Sequence, residues 1–278
     1  MVMSPERHLA RLSWTQVRQL AAREGSTVVW PWGAVEQHGP HLPLGTDALF
    51  AERVLEAVLR ALPPDRPIWR LPAQMLGFSP EHLSFPGTLS LPAPLVLELV
   101  STVGSQLARA GFQRLVLFNA HGGQIALLQA AARQLHEQVP ALGVLPCFLW
   151  SGPEGVAELI PEPERHQGLH AGLAETSLML HLAPEQVGPL RPRDGSLPSG
   201  PPQGWELEGA VPVAWLTAEL SASGVIGSAA GADAALGADL FERLVAGWTS
   251  RFESLLGSDW PPRRRQGSAL ERDPAESR

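Results

Sequence analysis

The 278-residue chain contains no lysine and no tyrosine, and all 21 of its basic residues are arginine. Without lysine there is neither a Schiff-base nucleophile nor a phosphate-loop ammonium, and without tyrosine no phenolic general acid. The single cysteine, Cys147, excludes an internal disulfide and a thiolate-rich zinc cluster. Lying between Pro146 and Phe148, it reads as a buried structural thiol. No Gly-x-Ser-x-Gly elbow occurs, so serine or cysteine covalent catalysis is disfavoured. No run approaches the roughly 18 apolar residues of a membrane span. Residues 1–7 carry Glu6 and no apolar stretch, so no signal peptide is expected and the expected location is the cytoplasm. A net charge of −7 argues against nucleic acid as a general partner, and no membrane is expected either. Chemistry is left to carboxylates, histidines, hydroxyls or an added ion.

With 44% hydrophobic residues the chain can bury a sizeable core. Short apolar runs alternate with helical spacing: strands are expected at 27–30, 68–71, 114–118 and 142–150, and helices at 47–62, 95–109, 125–139 and 233–256. This order predicts an α/β fold, a three-layer arrangement with a mostly parallel sheet flanked by helices. The run 114–118 is continuously apolar, as in a strand covered on both faces. Residues 211–216 read as a late edge strand because of Pro212. The Pro/Gly/Ser-rich stretch 188–209 reads as an ordered excursion or a partly mobile loop. A single domain is expected over 1–260, followed at 261–278 by a polar tail in which Arg263-Arg264-Arg265 is solvated.

The chemistry concentrates at predicted strand ends, where open α/β sheets collect ligands. Glu36 and His38, two apart after the first strand, project from one side of extended backbone. Asp47 heads a helix and shares a face with Phe50, Ala51, Val54 and Val58. Glu175 similarly lines up with Leu178, Met179 and Leu182. A carboxylate on a core stripe is expensive unless something cationic meets it. His121 ends the buried strand ahead of Gly122-Gly123, and His170 precedes the Glu175 helix. Oxygen and imidazole donors without thiolate suit Zn²⁺, Mn²⁺ or Fe²⁺. Three carboxylates and two histidines exceed one tetrahedral ion, so a two-ion site bridged by Asp47 fits the count. His82 either lines this pocket or is an ordinary loop histidine.

Gly33-Ala34-Val35-Glu36-Gln37-His38-Gly39, Leu42-Pro43-Leu44-Gly45-Thr46-Asp47, Phe85-Pro86-Gly87-Thr88, Asn119-Ala120-His121-Gly122-Gly123 and His170-Ala171-Gly172 with Glu175-Thr176-Ser177 resemble the creatininase family in order and spacing. The resemblance implies a two-ion hydrolase of C–N bonds, with a small amide, formamide or short peptide as substrate. It implies Glu36 and His121 on one ion, His38 on the other, Asp47 between them and Glu175 completing the second ion's shell. His170 would orient the substrate or carry a proton, a role for which Glu175 competes. Gly123 stands where true creatininases have a glutamate, and their Trp-Asp pair before His170 is missing, which places the chain in a wider His-Gly-Gly branch. The resemblance also implies a homo-oligomer, a hexamer being one such assembly. Two rival readings are a metal-binding homologue without turnover and a phosphate-ester hydrolase using the same ions.

Overall fold

The structure, a computed structural model, describes residues 6–195 and 201–262. The first half runs α1 (Trp14–Ala21), β1 (Thr27–Trp32), α2 (Thr46–Ala61), β2 (Ile68–Arg70), α3 (Ala93–Ala110), β3 (Arg114–Asn119), α4 (Ile125–Gln138) and β4 (Gly143–Phe148). The second half adds the one-turn α5 (Glu164–Gln167), α6 (Leu173–Leu182), β5 (Arg193–Asp194), the one-turn α7 (Thr217–Leu220), β6 (Gly227–Ser228) and α8 (Ala234–Leu256).

Four strands form one parallel sheet in the order β2-β1-β3-β4. Side-chain alternation divides its core in two. Val116 and Phe118 of β3 pack with α2, α6 and α8, whereas Leu115 and Leu117 pack with α3 and α4 on the other face. Helices therefore cover both faces, which is why β3 reads as an uninterrupted apolar run. Each such side chain removed from water contributes roughly 1.5–3 kcal/mol.

β1 continues through Pro31 to Trp32, two residues beyond its expected end. Pro31 is tolerated in this inner strand because β2 has already stopped at Arg70. The Pro31 carbonyl accepts from the Gln74 N–H on that side, where no strand requires the missing donor. Pro146 lies in β4, at the sheet edge, as expected for proline.

Two expectations need correction, those for residues 211–216 and for Cys147. Residues 211–216 form no strand: Pro212 only bridges Glu206, and the segment closes on itself through Val213 N–H to Glu206 O. Part of the 188–209 excursion is anchored, since Arg193–Asp194 pairs antiparallel with β6, while 196–200 lie outside the described residues. Cys147 is half-buried rather than buried, since β4 is an edge, and burial still pushes its thiol up to about 11. Residues 1–5 and the arginine triplet with the rest of the tail to 278 also lie outside the described residues. No helix among the described residues is long and apolar enough to cross a membrane.

Candidate metal centre

The carboxyl ends of β1 and β3 lie side by side, with Trp32 opposite Asn119, so the segments leaving them emerge together. Beyond β1 the backbone is held by Glu36 N–H to Leu44 O and by Gln37 N–H to the Thr88 hydroxyl, which gives the Phe85–Thr88 motif a structural task. Gly33 packs directly on the start of α2: a Cβ there would overlap the Ala48 backbone. This approach carries Asp47, at the second position of α2, under the strand ends. Beyond β3, Asn119 caps its own turn, accepting from His121 N–H and donating to His121 O at 2.7 Å. Gln124 ties that turn to Gly33 O and to Phe78 N–H. His170 arrives from the other side, its backbone paired in both directions with Ile226. Ala171 then adopts φ +52°, which turns the chain into α6 and lets its N–H donate to Glu175 Oε2 at 2.6 Å.

All six residues singled out in the sequence converge. Glu36 and His38 are fully buried, and Asp47, His121 and His170 nearly so; Glu175 is half-buried. His121 Nδ1 lies 3.2 Å from Glu36 Oε1 and 3.5 Å from Asp47 Oδ2, and His38 Nε2 lies 3.4 Å from Asp47 Oδ1. His170 Nδ1 is 3.8 Å from Glu36 Oε1. Two of the clusters able to hold an ion are Glu36–His38–Asp47 and His38–His170–Glu175, each with donor atoms within 4.8 Å of one another.

Both oxygens of Glu36, His38 Nε2 and Asp47 Oδ2 are buried without a hydrogen-bond partner among the described residues. Four such atoms facing one another are costly for folding alone. They fit a divalent cation, because oxygens and neutral imidazoles are its ordinary donors. The opposite ring nitrogens are committed elsewhere: His38 Nδ1 to Glu36 O, His121 Nε2 to Phe78 O and His170 Nε2 to Gln37 O. As N–H donors to carbonyls, they leave the inward nitrogens free to accept, the usual arrangement around ligating histidines.

The electrostatics favour positive charge at the same point. Burial depresses His38, but Asp47 close by, with Glu175 and Glu36, reverses this and raises it to about 10. His121 likewise rises despite burial because of Glu36 and Asp47. Asp47 is held below the usual carboxylate range: burial would raise it, but His38 and His121 outweigh that. Glu175 is pushed up to about 7, chiefly by burial. Burial, then the charges of His38 and His82, keeps His170 low and therefore neutral.

Two residues complete the surroundings. His82 is buried, not an ordinary loop histidine; its Nε2 is 3.4 Å from Glu36 Oε1. Gln37 accepts from Gly39 N–H and donates to Gly224 O, which fixes its amide orientation; its remaining N–H points at His82 Nδ1, 2.9 Å away. His82 Nδ1 is thus an acceptor, so a neutral His82 carries its proton on the inward Nε2. Glu81, unremarked in the sequence, lies 3.4 Å from His121 Nε2. Both stand on a one-turn 3₁₀ segment, Pro80–His82, which has no periodicity to announce them. Glu208, in the loop before α7, lies close enough that, after burial, the charge of Glu81 is the next cause raising its pKa.

The family model described as creatinine amidohydrolase matches residues 10–252. The chain belongs to the creatininase family. It is 36% identical over 162 residues to a mycofactocin precursor peptide peptidase of Mycolicibacterium smegmatis, spanning 58% of this chain and 59% of that protein. It is 35% identical over 228 residues to the protein of the same name from Mycobacterium tuberculosis H37Rv, spanning 79% and 81%. A solved zinc–zinc form of a creatininase point mutant superposes with a TM-score of 0.72 at 26% identity, over 92% of this chain and all of that one.

Proposed function

We propose that the protein is a metal-dependent hydrolase that cleaves a C–N bond of a peptide or amide, with a short peptide as the favoured substrate. The observation that carries this is the set of unpartnered donor atoms on Glu36, His38 and Asp47. Peptidase relatives at 35–36% identity support the substrate class, and a zinc–zinc creatininase supports a pair of ions.

Glu36 and His121 would hold one ion and His38 with Glu175 the other, with Asp47 shared. Two such ions polarise a carbonyl and bring the pKa of bound water towards about 7, from about 15.7 in bulk. His170, neutral and with its proton committed to Gln37 O at 2.7 Å, presents Nδ1 as a base. It accepts a proton from the attacking water and returns it to the departing nitrogen. Ile226 and Ala171 fix its backbone, so the ring is aimed before substrate arrives.

The test is a panel of short peptides, formamides, creatinine and a phosphomonoester, incubated with protein loaded with Zn²⁺ or Mn²⁺. Release of a new amine from at least one peptide, reduced at least a hundredfold in His170→Ala, is the expected result. Phosphomonoester turnover with none on any C–N bond would replace this reading with a phosphatase.

A further inference from the structure

Among the described residues Glu81 has no arginine partner in an ion pair; its ionic neighbours are His121 and His82. Its Oε1 lies 3.4 Å from His121 Nε2, on the ring edge opposite the nitrogen facing Glu36 and Asp47. Its side chain is 13% exposed, so the carboxylate stands at the rim of the centre. Glu36, Glu81 and His121 also form one of the clusters whose donor atoms lie within 4.8 Å of one another. The space it fills exists because residue 123 is glycine. A Cβ there would overlap Glu81 Oε1 and stand 2.7 Å from His121 Nε2.

We infer that Glu81 is a positioning carboxylate of the metal centre, acting on the ion through His121, and that position 123 is bare so that carboxylate and imidazole can meet. This rests on the metal reading proposed above. His121 Nε2–H donates to Phe78 O at 3.0 Å, with the Ser79 hydroxyl at 3.3 Å and Glu81 Oε1 at 3.4 Å beside it. A carboxylate behind a ligating histidine fixes its tautomer and ring plane and makes the inward nitrogen a stronger donor. Phe78 O can fix the tautomer alone; a negative charge is what only Glu81 adds. The 3₁₀ turn gives consecutive residues complementary tasks, Glu81 behind His121 and His82 against Glu36.

Zn²⁺ affinity, measured by competition with a chromophoric chelator, tests this in Glu81→Ala, Glu81→Gln, Gly123→Ala and Asp47→Ala. Thermal unfolding in EDTA checks that each variant folds. Partners behind a ligating histidine are worth roughly 10–100-fold in affinity, so Glu81→Ala is expected to weaken one ion by that factor. Glu81→Gln, which keeps an acceptor but no charge, should fall between Glu81→Ala and wild type. Gly123→Ala should weaken the same ion by displacing the carboxylate. Wild-type affinity in Glu81→Ala, with ion loss in Asp47→Ala, overturns the inference and leaves the metal reading standing. Wild-type affinity in every variant, Asp47→Ala included, overturns both.

Discussion

Asp47 and Glu175 are legible because they contradict their surroundings. A carboxylate on an apolar helical stripe, in a chain without lysine, demands a cation or a raised pKa. The structure shows both outcomes: Asp47 is held low beside two imidazoles, and Glu175 rises to about 7. Glu81 and His82 carry no such contradiction, since a polar residue in a Pro- and Gly-bounded loop is ordinary. Only the fold, by laying the Pro80–His82 turn against the end of β3, brings them to the site. His41 is a further buried imidazole outside the proposed ligand set, with Nε2 2.8 Å from the Thr176 hydroxyl. Burial, with Arg191 and His38 nearby, lowers it to about 4. The unfolded chain therefore binds more protons at this residue between pH 4 and about 6.5, so its contribution to stability falls as pH drops through that window. Thermal unfolding from pH 7.5 to 4.5 should show a steeper loss in wild type than in His41→Gln; parallel curves would show that His41 does not titrate this way.

Among the elements, strands and long helices follow their hydrophobic period closely. α2, α4 and α8 begin and end within about a residue of expectation because apolar residues on one face repeat at helical spacing. The segment 211–216 fails as a strand because it folds back on Glu206 and, among the described residues, joins no sheet. Period alone reports what a segment can form, not whether a partner strand is present. The β1–α2 junction is where element packing and chemistry meet, since Gly33 lets the start of α2 touch the strand end. Gly33→Ala should push α2 outward, destabilising the protein by about 1–3 kcal/mol, the usual cost of overpacking. It should also weaken metal binding, because Asp47 moves with the helix. Chemical denaturation together with metal titration measures both; a stable variant with unchanged affinity would separate the junction from the centre.

At the scale of the whole molecule, the parallel sheet acts as a gathering device. Residues 36, 38, 47, 121, 170 and 175 are spread over 140 positions, yet adjacent β1 and β3 deliver four of them and the chain returning past Ile226 delivers the other two. The motifs at these positions make the family legible, but the sequence does not contain the distances between them. The position of Glu208 near Glu81 is likewise not legible from the chain alone, because its loop has neither strand nor long helix to reveal where it lies. The number of divalent ions held per chain, measured by elemental analysis of protein purified without chelator, decides whether these gathered side chains form a metal centre. Two ions per wild-type chain, with at least one lost in Asp47→Ala, is the predicted result; a wild-type protein without bound metal, or one whose metal content is the same in Asp47→Ala, would contradict it.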